Sequence, residues 1–134
     1  MTSPNDTEQK MYVWLTKQIS ECQFQRIETS TGCGVPDVYM CMKGKSLWIE
    51  LKIVRSGSVY LRKEQYAWGV RHAMNGGKCI VLARDGKLCY AWEFPFMGVE
   101  DVKNGKARLS IESARLIEDS VDLYIKRILG VCHG

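Results

Sequence analysis

Two stretches of period-two patterning joined by three residues constrain this chain more than any other feature. From Asp37 to Met42 the even positions Val38, Met40 and Met42 are apolar, with Asp37, Tyr39 and Cys41 on the other face. From Ser46 to Val54 the apolar set moves to the odd positions Leu47, Ile49, Leu51 and Ile53, leaving Ser46, Trp48, Glu50, Lys52 and Val54 opposite. Only Lys43-Gly44-Lys45 connects the two, so they should form a hairpin. Both apolar faces must meet the same core, and opposed residues in a hairpin have a constant index sum, so that sum has to be odd. A two-residue loop at Lys43-Gly44 gives a sum of 87, which sets Val38 against Ile49, Met40 against Leu47, Tyr39 against Trp48 and Asp37 against Glu50. Sums of 85 or 89 keep the faces but stagger the carboxylates. Lys43 is the weak point, because the first central position of such a turn favours Asn, Asp or Gly.

The hairpin concentrates charge. Two carboxylates directly opposite, with Cβ atoms roughly 5 Å apart, repel and destabilise a sheet. Lys52, two residues beyond Glu50 on the same face, offsets this in part. A divalent cation does so better: Mg²⁺ and Mn²⁺ prefer hard oxygen ligands and bind through one or two carboxylates, water and phosphate. Taken singly, Asp37 is an ordinary strand start, and Glu50 and Lys52 are a solvated face with a weak ion pair.

The rest of the chain supplies the frame. Ser3 with Asp6, Pro4, and the helical spacing of Met11, Leu15, Ile19 and Cys22 predict a helix from about Pro4 to Glu21. A strand follows at Gln23 to Glu28, then a turn-rich segment from Ser30 to Pro36. After the hairpin and an Arg55-Ser56-Gly57-Ser58 loop, a helix is predicted from Leu61 to Asn75, ended by Gly76-Gly77. Lys78 to Ala83 and Leu88 to Glu93 read as strands joined at Asp85-Gly86. Phe94 to Ser110 has no clear period, and Ile117 to Ile128 marks a last helix stopped by Gly130. The order α-β-β-β-α-β-β-α implies an α/β fold with a mixed sheet. At 134 residues one domain is expected, and 46% hydrophobic with 25% charged residues excludes disordered and collagen-like chains.

No apolar run approaches the ~18 residues needed to cross a bilayer, and the first residues lack the pattern of a signal peptide. The expectation is a cytoplasmic protein with no membrane partner. The six cysteines include no CxxC pair, so a structural zinc site is not indicated and mostly buried thiols are expected. His72 reads as a packing residue beside Trp68.

Together, Gly34-Val35-Pro36-Asp37, the strand ending Trp48-Ile49-Glu50-Leu51-Lys52 and the helix beginning Leu61-Arg62-Lys63-Glu64-Gln65 resemble the PD-(D/E)xK nuclease superfamily. Within it the chain is most similar to the small stand-alone phage proteins of the virus-type replication-repair nuclease (VRR-NUC) family, over roughly Glu8 to Ala83. The resemblance implies a restriction-endonuclease-like core at about 4–93 of a single nuclease domain over 1–134. It implies metal ligation (Mg²⁺ or Mn²⁺) by Asp37, Glu50 and the backbone carbonyl of Leu51. Lys52 would orient the attacking water and stabilise charge on the phosphate, Gln65 would support the site, and Glu8, which matches the family's helix carboxylate loosely, would be a further metal ligand. Arg62 departs from the pattern, standing where a Ser or Thr cap is expected. The stand-alone members further suggest a homodimer cutting branched DNA, a Holliday junction above all, in the cytosol of a bacterial or phage-infected host.

Charge placement agrees with a nucleic-acid partner. The net charge is +4, but Lys43 to Lys87 holds ten basic and three acidic residues, a segment of +7 within a remainder of −3. Lys43, Lys45, Arg55, Arg62 and Lys63 are the candidate DNA-backbone contacts, and contacts of that kind make binding strongly salt-dependent. Two other readings stay open: a nicking or restriction-type endonuclease, and an inactive nuclease fold that only binds DNA.

Overall fold

The computed structural model describes residues 7–28, 33–95, 99–101 and 105–131. Helix α1 (Glu8–Gln18) opens at Thr7, whose hydroxyl accepts the Lys10 N–H at 3.1 Å. Thr7 is extended, so the helix does not run continuously from Pro4; Ser3, Pro4 and Asp6 lie outside the described residues. It also stops before Glu21, because Ile19 is extended and Glu21 takes a positive φ of 61°.

Strands β1 (Gln23–Arg26), β2 (Val38–Met42) and β3 (Lys45–Ile53) follow as an antiparallel meander. The β2–β3 register pairs Val38 with Ile49, Tyr39 with Trp48, Met40 with Leu47 and Met42 with Lys45, the sum of 87 that matched faces and a two-residue loop demand. Lys43 and Gly44 both have positive φ, 50° and 78°, so the lysine adopts the left-handed turn its side chain disfavours. Gly44 supplies the second such position without strain.

The expected Arg55–Ser58 loop is itself a tight hairpin: Arg55 and Ser58 exchange both backbone hydrogen bonds. It leads into β4 (Ser58–Arg62), a strand whose alternation is too short to stand out in the sequence. Helix α2 (Lys63–Met74) therefore begins two residues later than expected. Next, β5 (Cys79–Asp85) runs parallel to β3, and β6 (Leu88–Glu93) returns antiparallel to β5. The supposedly irregular segment contains β7 (Val99–Asp101) and β8 (Lys106–Ser110), followed by a two-residue strand β9 (Arg115–Leu116). Helix α3 (Val121–Leu129) starts at Ser120, whose hydroxyl accepts the Leu123 N–H, and ends at left-handed Gly130.

The main sheet has the order β1-β2-β3-β5-β6-β9, and a second sheet the order β4-β8-β7. The even positions of β2 and odd positions of β3 face one core with Met11, Leu15, Val121, Tyr124 and Ile125, so α1 and α3 cover that side. Val81, Ala83 and Trp92 face the other core, closed by Val59, Leu61, Ala107 and Leu109 of the second sheet. Each side of the central strands thereby packs against a core. The apolar stripe of α3, Val121, Tyr124, Ile125 and Leu129, is buried in the core it shares with α1. Cysteine burial is mixed: Cys79 and Cys89 are buried, Cys22 and Cys41 half-buried, and Cys33 exposed. No helix among the described residues is long and apolar enough to cross a membrane.

Candidate active site

The site lies where β2 begins and β3 approaches its end. A backbone contact governs the approach of Asp37: a Cβ on Gly34, which has a φ of 87°, would stand 2.2 Å from the Glu64 carbonyl oxygen and 2.9 Å from the Gln65 nitrogen. Only glycine lets the loop run against the first turn of α2. That contact ties the Asp37 segment to the helix bearing Gln65.

Asp37 is anchored at both ends of the residue. Its carbonyl accepts the Ile27 N–H at 2.7 Å, and its Oδ2 accepts the Leu51 N–H at 3.0 Å. The even residues of β3 donate toward β5, as in Trp48 N–H to the Lys78 carbonyl and Val54 N–H to the Arg84 carbonyl. Strand alternation therefore turns the N–H and C=O of Leu51 toward the β2 edge, beyond the point where β2 starts. The carboxylate of Asp37 occupies the ladder position that β2 leaves open, and the Leu51 carbonyl faces the same edge.

Glu50 is 4% exposed. Its Oε2 accepts the Gln65 side-chain N–H at 2.8 Å and lies 3.6 Å from Lys52 Nζ. Its Oε1 is buried and has no hydrogen-bond partner among the described residues. Burial above all, and then the negative charge of Asp37, push the Glu50 carboxyl up to about 8 despite Lys52. Burial also raises Asp37, against the opposing effects of the Leu51 N–H and Lys52; Glu8, exposed on α1, is close enough for its charge to raise it further. Two carboxyls held in this way cannot both ionise without a counter-charge.

Gln65 resolves the anomaly at Arg62. Arg62 is the N-cap of α2 and has no side-chain oxygen to offer the helix. Gln65, three residues on, reaches back instead: its Oε1 accepts the Arg62 N–H at 2.8 Å, the reciprocal half of a capping box. A backbone N–H can only donate, so the amide oxygen must face Arg62 and the NH₂ must face Glu50. One side chain thus fixes the helix start and holds a buried carboxylate.

Beside these groups opens a cleft of about 480 Å³ lined by Asp37, Gln65, Arg62, Arg26 and Glu28 among others. Sequence reasoning missed Arg26 and Glu28. Arg26 donates to Gln9 Oε1 at 2.6 Å and stacks over Tyr12 at 5.2 Å, while its Nε is buried without a partner. A single arginine in a four-residue strand carries no sequence signal; only the packing of β1 against α1 brings it here.

The basic segment does not form one surface. Arg62 lines the cleft, Lys63 is the first residue of α2, and Arg55 sits at the turn three residues beyond Lys52. Lys43 and Lys45 occupy the opposite end of the β2–β3 hairpin, roughly 17 Å from Asp37 at strand rise. Lys45 and Lys78 border a different cavity, of about 500 Å³, with Tyr39, Trp48 and His72. Arg84 lies over the Trp14 ring at 4.3 Å. His72 stacks on Trp68 with centroids 4.8 Å apart, a packing role.

The donor set fits a hard divalent cation. It offers two carboxylates, one of them with an orphaned buried oxygen, and a main-chain carbonyl, with room for water beside them. Among the described residues no group of three or more His, Cys, Asp or Glu converges, so this is no closed all-protein cage.

No family model matches the chain, and no curated protein matches it. Among solved structures, the chain is similar to Hjc from Archaeoglobus fulgidus, a Holliday junction resolvase from an archaeal hyperthermophile, with a TM-score of 0.63 at 14% identity, covering 90% of this chain and 96% of that one. The chain has the restriction-endonuclease-like fold of that protein: a mixed central sheet with three flanking helices.

Proposed function

We propose that this protein is a metal-dependent endonuclease that hydrolyses phosphodiester bonds in branched DNA as a single nuclease domain, with the Holliday junction as its foremost substrate and a homodimer as its working form. The observation that carries the reading is the pairing of Asp37 with a buried, half-orphaned Glu50 beside Lys52, at the rim of a cleft with two guanidinium groups. The similarity to a resolvase fold supports it. A finer placement in the VRR-NUC family rests on the motif alone.

Asp37, Glu50 and the Leu51 carbonyl would hold Mg²⁺ or Mn²⁺. When bound, such an ion supplies a Lewis acid that acidifies water and counters charge on the phosphate. The chain's own groups do the rest. Lys52 offers a fixed ammonium where negative charge develops. Gln65 holds Glu50 Oε2, and Oε1 is left without a hydrogen-bond partner among the described residues. Arg26 and Arg62, on the cleft wall, have the planar donor geometry that suits phosphate oxygens. Glu8 acts through its charge on Asp37. A two-fold junction needs two symmetric cuts, and a C2 pair of chains supplies two copies of this site.

A panel of end-labelled four-way junction, flap, nicked and linear DNAs with Mg²⁺ or Mn²⁺ tests the proposal. Paired symmetric cuts in the junction are expected, lost in Asp37→Asn, Glu50→Gln and Lys52→Ala while DNA binding remains. Cleavage of nicked or linear duplex alone would support the nicking or restriction-type reading. Junction binding with no cleavage under either metal would leave an inactive DNA-binding module.

A further inference from the structure

The second sheet carries a surface that continues outward from the candidate site. Along β4 and β8, Val59 pairs with Leu109 and Leu61 with Ala107, and all four are buried in the core beneath. Alternation therefore sends Tyr60, paired with Arg108, and Arg62, paired with Lys106, to the opposite side. On that side Tyr60 is 50% exposed, Arg62 and Lys106 are exposed, and Arg108 is half-buried. Ser58 and Ser110, one row further along, are buried, so the open part of the face is the end that reaches the cleft. Arg62 belongs to both: it lines the cleft with Asp37 and heads this outer row.

The charge arrangement is costly for the folded chain on its own. Arg62 and Lys106 are directly opposed like charges, which destabilise an antiparallel pair. Among the described residues neither forms an ion pair. Asp101 stands opposite Arg108 on β7, the far side of the patch. A polyanion laid across the Arg62–Lys106 row would offset the repulsion. Continuity with a cleft suited to a phosphodiester selects which polyanion.

We propose that the outer face of the β4–β8 pair, formed by Tyr60, Arg62 and Lys106, is a docking surface for the phosphate backbone of the DNA duplex arm leading away from the cut. The two rows lie about 7 Å apart along the strands, so the face spans two or three phosphates. Tyr60 offers a hydroxyl and the cations offer charge; none of this reads base sequence. The inference rests on the proposed nuclease function and adds where the uncut arm lies.

The test is fluorescence anisotropy of a labelled four-way junction, with arms of about 20 base pairs, titrated with protein in EDTA over a series of KCl concentrations. One phosphate contact contributes about 0.9 to the slope of log K against log salt. Lys106→Ala should therefore lower that slope by about 1 and weaken binding about eightfold at 0.1 M salt, and Arg62→Ala with Lys106→Ala by about 2 in slope. Lys106→Ala should melt no lower than the wild type, since it removes an opposed charge. Lys106→Gln, which keeps the side-chain stem, should show the same slope change; recovery of the wild-type slope by Gln would overturn the proposal. With arms cut to about 6 base pairs, the difference between wild type and variants should shrink. If the wild type binds steeply and the variants match its slope, the docking surface is rejected and the nuclease reading stands. If the wild type binds none of the DNAs, the nuclease reading itself fails.

Discussion

Replacing Glu50 with Gln should flatten the pH dependence of the metal-free protein's stability, where the wild type loses stability as pH rises. In the unfolded chain Glu50 ionises near 4.5, whereas burial and Asp37 hold the native carboxyl protonated up to about 8. The native state therefore binds the extra proton between these values. Its contribution to stability is fully present below 4.5 and is lost as pH rises through 8. At about 1.36 kcal/mol per unit, the loss is roughly 3 kcal/mol by pH 7 and about 5 kcal/mol above pH 8. For a chain of 134 residues, about 3 kcal/mol corresponds to a fall in Tm of roughly 10 °C. Gln keeps the shape and still accepts the Gln65 N–H. Asp37, also raised by burial, leaves a residual slope of the same sign. The assay is thermal unfolding by circular dichroism from pH 5 to 9 in EDTA. Mg²⁺ added at pH 8 should recover the wild type's lost stability and do less for Glu50→Gln. Parallel Tm-against-pH curves for the two proteins would refute the reasoning, because then Glu50 is not the buried acid the geometry describes.

Three further outcomes are expected. Gly34→Ala forces a Cβ onto the Glu64 carbonyl at a positive φ; it should cost about 2–4 kcal/mol in urea unfolding and lower cleavage more than a core variant of similar stability loss such as Ile125→Ala. Gln65→Ala removes both the Arg62 cap and the Glu50 donor, so it should destabilise by about 1–3 kcal/mol and reduce turnover, read by denaturation and single-turnover cleavage. Lys43→Asn places a favoured residue at a φ of 50° and should raise stability by about 0.5–1 kcal/mol in the same unfolding assay; an unchanged midpoint would contradict the turn assignment.

The sequence by itself determined the centre of this protein. Strand patterning has a strict period of two, so matching the apolar faces of two strands joined by a minimal loop left few registers, and the observed one sets Asp37 beside Glu50. The helix cores were legible for the same reason of periodicity, while their starts were not, because caps depend on single residues such as Thr7 or on a reciprocal contact such as Gln65 with Arg62. Strands β4, β7, β8 and β9 escaped detection: each has five residues or fewer, and β4 pairs with β8 across more than forty residues of chain, a partnership no local pattern reports. The third dimension alone decided the electrostatics. Burial of Glu50 beside Gln65 of α2 raised its carboxyl, and the packing of β1 on α1 brought Arg26 to the cleft. It also divided the +7 segment, sending Lys43 and Lys45 to the far end of the hairpin and Arg62 to the site. Charge is counted along a chain, but it acts through space, and only the fold converts one into the other.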